Sequence, residues 1–188
     1  MATDLSGTSV LVIATNYGVE QDEIVVPITA LTDAGATVTV AAVEAGDIQT
    51  LVGDRDPGQT VQADMTLDAV DPAAFAALVI PGGTINADTL RLQETAVDLA
   101  NAFATAGKPI AAICHGPWLL VEGNLVRNKT LTSYASLQTD IENAGGSWVD
   151  AEVQVDETEG FTLITSRTPK DLDAFTGALT AVLAPAAV

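Results

Sequence analysis

Four short apolar runs, each fenced by polar residues or by Gly and Pro, set the frame of the chain: Ser9–Ala14, Thr37–Val43, Ala77–Ile80 and Ile110–Ile113. Apolar positions that run on without alternating are what a strand covered on both faces requires, and such strands belong to parallel sheets. Between the runs the period changes. Ile24, Ile28 and Leu31 recur at near-helical spacing as far as Gly35, with Pro27 expected to kink that helix early. Ala96, Leu99, Ala100 and Phe103 do the same as far as Gly107. Leu137 to Ile141 predicts a further helix, Val153–Val155 and Phe161–Ile164 two more strands, and Leu172, Phe175, Leu179 and Val182 one face of a last helix. Thr168-Pro169, followed by Asp171, reads as that helix's start.

Strands that alternate with helices imply right-handed crossovers and a mostly parallel sheet with helices on both faces. The expected fold is therefore α/β, a three-layer sandwich of flavodoxin-like type. Two stretches interrupt the alternation. Asn16-Tyr17-Gly18 reads as a turn, and residues 46–66, with Gly46, Gly53, Asp56-Pro57-Gly58 and alternating Val61 and Ala63, read as a short hairpin excursion. Asp71-Pro72 starts a helical turn. At 188 residues and 48% hydrophobic, without repeats or a second composition regime, residues 1–188 form a single domain around one full-sized core.

The charge narrows the partners. Seven Lys plus Arg stand against 25 Asp plus Glu, a net −18, which is the wrong sign for a nucleic-acid backbone or an anionic membrane. The N-terminal residues carry neither a basic nor an apolar leader segment, no apolar run approaches a membrane span of about 20 residues, and one cysteine excludes an internal disulfide. The expectation is a soluble cytoplasmic protein.

The chemistry concentrates at Ile113-Cys114-His115-Gly116-Pro117, which holds the only cysteine and the only histidine of the chain. A buried strand that delivers a side chain into a tight strand-to-helix turn is a nucleophile elbow, and unpaired N–H groups at a helix start favour thiolate over thiol. Cys114 is the expected nucleophile and His115 the one imidazole available as its base. The N–H groups of His115 and Gly83, with Gly82 beside it in Pro81-Gly82-Gly83, are candidate oxyanion or substrate-binding donors at the ends of adjacent parallel strands. No histidine follows His115, which excludes papain-like, dienelactone-hydrolase and working glutamine-amidotransferase mechanisms. Neither a multi-histidine metal site nor a nucleotide-binding loop can be built, so no metal and no cofactor is expected.

Nearly end to end, the chain resembles the ThiJ/PfpI family within the class I glutamine amidotransferase-like fold. The motifs that carry the likeness are Gly18-Val19-Glu20-Gln21, Pro81-Gly82-Gly83, Asn86-Ala87-Asp88-Thr89-Leu90-Arg91, the elbow itself, and Ser133-Tyr134. The resemblance implies roles by position. Cys114 matches the nucleophile, His115 its neighbouring base, and Glu20 the buried glutamate that hydrogen-bonds the sulfur and shuttles protons. Asp88 falls where the proteases of the family place a glutamate that orients the histidine across a subunit interface. It is one methylene shorter here, with one extra residue in the preceding loop. A homo-oligomer is implied with it. Two chemistries follow from the family: processing of reactive carbonyls or glycated protein, as in deglycases and glyoxalase III-like enzymes, and peptide hydrolysis. A non-catalytic redox or stress sensor, in which Cys114 is oxidised to sulfinate, is the reading of a different class.

So acidic a surface, almost without compensating cations, points to adaptation to high salt. At molar salt the Debye length is about 3 Å, and repulsion among carboxylates is screened. Thermal melts across a salt series should show the melting temperature rising well past physiological ionic strength. A flat or falling series would identify an ordinary acidic protein.

Overall fold

The computed structural model describes residues 3–185, so both ends of the expected domain, residues 1–2 and 186–188, lie outside the described residues. The apolar runs form the frame: β1 (Ser9–Ala14), β3 (Thr37–Ala42), β7 (Ala77–Ile80) and β8 (Ile110–Ile113) lie side by side in one sheet. β6 (Met65–Thr66) completes one edge, and β12 (Leu163–Ser166) followed by β11 (Val153–Asp156) the other, giving the order β11-β12-β8-β7-β1-β3-β6. Every pairing in this sheet is parallel except β11 with β12.

Continuity of the apolar runs follows from the layering. In β8, Ile110 and Ala112 pack on one side of the sheet and Ala111 and Ile113 on the other. The first side is covered by α3 (Glu94–Thr105) through Leu99 and Phe103, and by α4 (Pro117–Glu122) through Leu119 and Leu120. α1 (Gln21–Asp33) covers the second through Ile24 and Leu31, beside α6 (Leu172–Leu183) with Phe175 and Leu179. The flavodoxin-like three-layer sandwich is thus present, and Pro27 sits inside α1 without ending it.

Several elements differ from their sequence reading. Tyr17–Glu20 is a strand, β2, where a turn was expected, because its partner is the distant β4 (Gly46–Val52). β4 forms the expected hairpin with β5 (Asp56–Ala63), so that β2, β4 and β5 make a small side sheet beside the main one. The segment after Gly83 forms a seven-residue helix, α2 (Thr84–Leu90). β9 (Thr130–Leu131) and β10 (Ser147–Trp148) pair on either side of α5 (Gln138–Asn143). The last helix begins at Leu172, after a separate turn at Pro169–Asp171. Among the described residues no helix is long and apolar enough to cross a membrane.

The core contains one fully buried cation. Lys129 is 0% exposed; its ammonium lies 3.3 Å from the Asp156 carboxylate, donates to the carbonyls of Thr158 and Phe161, and stands over the Phe161 ring. Burial alone would raise the Asp156 carboxyl. Donors at Thr158, Thr130 and Lys129 outweigh it and hold the group at about 2. Removing one partner of such a pair strands the other, at a cost of roughly 3–5 kcal/mol. Lys129→Met should therefore lower the urea midpoint by a corresponding amount; a midpoint within error of wild type would show that the ammonium contributes nothing net.

Candidate active site

β1, β7 and β8 are parallel neighbours, so their C-terminal ends open on the same edge of the sheet, where α/β folds bind ligands. From β8 the chain turns at Cys114 with φ 60°, in the left-handed region. A non-glycine residue there costs on the order of 1–3 kcal/mol and persists only when its surroundings fix it. Here Cys114 N–H donates to Ser166 O at 2.9 Å and Cys114 O accepts from Tyr134 N–H at 2.8 Å. The turn lifts the sulfur beside His115, whose Nδ1 is 3.2 Å from Sγ. Both residues are nearly enclosed, at 6% and 5% exposed. Tyr134 stacks on the imidazole at 4.6 Å and Trp118 tilts against it at 5.3 Å, so these aromatics hold the ring in place.

The carboxyl at the sulfur is Glu23, and the expectation for Glu20 is corrected. Glu20 is the last residue of β2, in extended conformation, and its carboxylate turns away to accept from the N–H groups of Gly53 and Asp54 at 3.0 and 3.1 Å. Glu23 lies three residues on, inside α1, where the helix turns its side chain toward the sheet. It is 0% exposed, accepts from Gly82 N–H at 2.9 Å through Oε2, and lies beside Cys114 across Gly82. Its Oε1 has no hydrogen-bond partner among the described residues. Gly82 is therefore a ligand of Glu23, and its N–H is not free for substrate.

The two glycines have different reasons to be glycine. A Cβ on Gly82 would lie 2.5 Å from Glu23 Oε2 and 2.8 Å from Cys114 Cβ. Gly83 has φ 84°, and a Cβ there would enter the β2 backbone, 2.6 Å from Glu20 N. Its N–H, with that of His115, favours the Cys114 thiolate.

Burial is the main influence on both titrating groups. It pushes Glu23 up to about 8, so the carboxyl is protonated at neutral pH. Burial also pushes the Cys114 thiol up, the Glu23 charge adds to this, and the N–H groups of Gly83 and His115 act in the opposite direction. The direction differs from that expected of the elbow alone. α4 begins only at Pro117 and has six residues, so the sulfur stands before a short helix and beside a buried carboxyl rather than at the end of a long helix. Burial likewise lowers His115, with Asp54 acting the other way.

Asp88 is exposed on α2 and makes no hydrogen bond to His115 among the described residues. The imidazole's far nitrogen, Nε2, instead faces Thr84 Oγ1 at 3.5 Å and Ser136 Oγ at 3.4 Å. Thr84 in turn gives both its N–H and its hydroxyl to the Asp54 carboxylate, each at 2.8 Å. Sequence reading missed Glu23, Thr84 and Asp54. Glu23 was recoverable from the helix start, since a side chain four residues before buried Pro27 shares its face. Asp54 gives no comparable local signal. Asn86 was part of a quoted motif and proves structural: its amide bridges Thr15 N–H, at 2.7 Å, to Gly82 O, at 3.0 Å. No group of metal-ligating side chains occurs among the described residues.

The chain is similar to known proteins in sequence and in fold. Residues 8–181 match the DJ-1/PfpI family. The deglycase PH1704 of Pyrococcus horikoshii is 40% identical over 156 residues, 83% of this chain and 88% of the relative. General stress protein 18 of Bacillus subtilis is 39% identical over 169 residues, 90% of this chain and 94% of its own. Among solved structures, Drosophila melanogaster DJ-1beta superposes with a TM-score of 0.83 at 31% identity, covering 94% of this chain and 90% of that one.

A buried carboxyl held protonated has a measurable signature. Between its ordinary value of 4.5 and about 8, Glu23 keeps a proton that the unfolded chain has lost. The folded state then binds more protons, so this group's contribution to stability falls as pH rises through that window, by up to about 1.4 kcal/mol per unit. Glu23→Gln removes the titration. Its stability relative to wild type should rise by a few kcal/mol from about pH 5 to about pH 8 in urea melts; parallel curves would mean that Glu23 is ionised in the folded chain.

Proposed function

The chain belongs to the DJ-1/PfpI family, and on that premise we propose that it is a cofactor-independent cysteine enzyme acting on small reactive carbonyls such as methylglyoxal, or on their adducts with protein. The observation that carries this reading is the enclosed trio of Cys114 Sγ, His115 Nδ1 at 3.2 Å and the buried Glu23 carboxyl held beside the cysteine by the Gly82 N–H. Cys114 passes its proton to His115 and the sulfur adds to the aldehyde carbon. The new oxyanion is stabilised by the N–H groups of Gly83 and His115, and protonated. A carboxyl that titrates near 8 exchanges protons readily at neutral pH. The neutral Glu23 carboxyl gives its proton to the C2 carbonyl oxygen and, as a carboxylate, takes the C1 proton to form an enediol; it then delivers that proton to C2 and recovers the C1 hydroxyl proton, which leaves a thioester at C1, a hydroxyl at C2 and Glu23 neutral again. Water cleaves it and releases lactate, so that methylglyoxal plus water gives a hydroxyacid without a redox partner.

Enclosure favours a small substrate over a peptide. A cysteine 6% exposed beside a histidine 5% exposed admits a three-carbon aldehyde more readily than an extended chain with side chains on both flanks of the scissile bond.

Purified protein incubated with methylglyoxal should release lactate, and Cys114→Ser should not. Glu23→Gln should still react with iodoacetamide at Cys114 but lose roughly 10²-fold or more in turnover, the scale of a general acid–base group. Peptide hydrolysis without lactate release would reassign the site to proteolysis. Activity in neither assay would leave Cys114 as an oxidation sensor.

A further inference from the structure

The imidazole needs an orienting partner, and the described chain contains one that lies far from it in sequence. We infer that Asp54, acting through the Thr84 hydroxyl, is the acid that fixes His115 within a single chain, and that Glu20 holds Asp54 in place for this purpose. The inference rests on Cys114 and His115 being the nucleophile and base proposed above.

The hydrogen-bond directions lead to the assignment. An ionised carboxylate only accepts, so the Thr84 hydroxyl, 2.8 Å from Asp54 Oδ2, must donate its single hydrogen there. Its oxygen is left with lone pairs alone to offer His115 Nε2 at 3.5 Å. The neutral ring is then protonated on Nε2, and Nδ1 carries the lone pair, 3.2 Å from the sulfur. That is the tautomer able to take the thiol proton. When it does, the S–H bond breaks, an N–H bond forms at Nδ1, and the imidazolium's Nε2–H is held by a hydroxyl oxygen polarised by Asp54. No proton passes to Asp54. The Ser136 hydroxyl, 3.4 Å from Nε2, is free to rotate and accommodates either tautomer, so it does not set the choice.

The device is built rather than incidental. Asp54 occupies the tip between β4 and β5 with φ 56°, a conformation that costs energy for a side chain with a Cβ. Two contacts hold it. Glu20 accepts from Gly53 N–H and Asp54 N–H, and Thr84 N–H donates to Asp54 Oδ1 at 2.8 Å. The hairpin tip is thereby attached to the end of β2 and to the start of α2 at once. Charge agrees with geometry, since Asp54 raises the His115 titration against the effect of burial. The other groups facing the ring are Cys114 from its own turn, Tyr134 from the loop after β9 and Trp118 from α4, with the Glu23 carboxyl beyond the sulfur.

Because the chain has one histidine, its side-chain nitrogen spectrum contains one imidazole. Nitrogen-15 NMR of the full-length protein, titrated without substrate, should show the Nε2–H tautomer in wild type. Asp54→Asn and Thr84→Val should lower the imidazole midpoint by about half a unit to one unit, less than the 1–3 units of a direct ion pair. Turnover should fall on the order of tenfold with KM nearly constant, and Thr84→Ser, which keeps the hydroxyl, should restore both. An Nδ1–H tautomer in wild type, or an unmoved midpoint in Asp54→Asn, would overturn the inference. So would a midpoint that moves in Asp88→Asn and not in Asp54→Asn, which would assign the orienting acid to a second copy. A normal titration pattern in a protein that turns over no carbonyl would count against the proposed function alone, because the spectrum needs no substrate.

Discussion

The organisation of the site depends on one buried carboxyl. Glu23 enters from the first turn of α1, accepts the Gly82 N–H and meets the sulfur of Cys114, so a single side chain joins a helix on one face of the sheet to two loops at its edge. A buried acid with only one backbone donor cannot cheaply ionise, and keeping it neutral is what lets it serve as a donor beside sulfur. The close approach also explains the local sequence. No side chain fits at position 82, and the left-handed turn at Cys114 is needed to bring its sulfur to the carboxyl.

Much of this was legible in the sequence, for a physical reason. Strands covered on both faces show themselves as unbroken apolar runs, and a reactive residue between such a run and Gly-Pro has few structural alternatives to an elbow. The error over Glu20 is equally physical. Two glutamates three residues apart straddle the point where strand becomes helix, and only the exact start of α1 decides which of them turns inward. β2 ends at Glu20 because a strand some thirty positions later pairs with it, and no window around Glu20 contains that strand. Asp54 eluded the sequence for the same reason, since its contacts with Thr84 span 30 residues.

Electrostatics divides the molecule in two. Outside lie most of the carboxylates behind the chain's formal net charge of −18, solvated and with a repulsion that salt can screen. Inside, charge is placed singly and answered locally, as Lys129 is by Asp156 and two carbonyls. Salt therefore acts on the surface and leaves the chemistry at Cys114 largely alone.

The side sheet has a consequence for how the site comes apart. Cys114 follows the central strand β8, hydrogen-bonded to strands on both sides and wholly buried, whereas Asp54 rides a hairpin whose outer strand β5 is mostly exposed. Amide protection should thus differ across a few ångströms of one active centre: exchange at the elbow requires the whole sheet to open, and exchange at the hairpin tip only the release of Glu20 and Thr84. Mild warming or denaturant would reach the orienting half of the site first. The enzyme would then pass through a state in which the sulfur is still in place while its imidazole has lost its bearing.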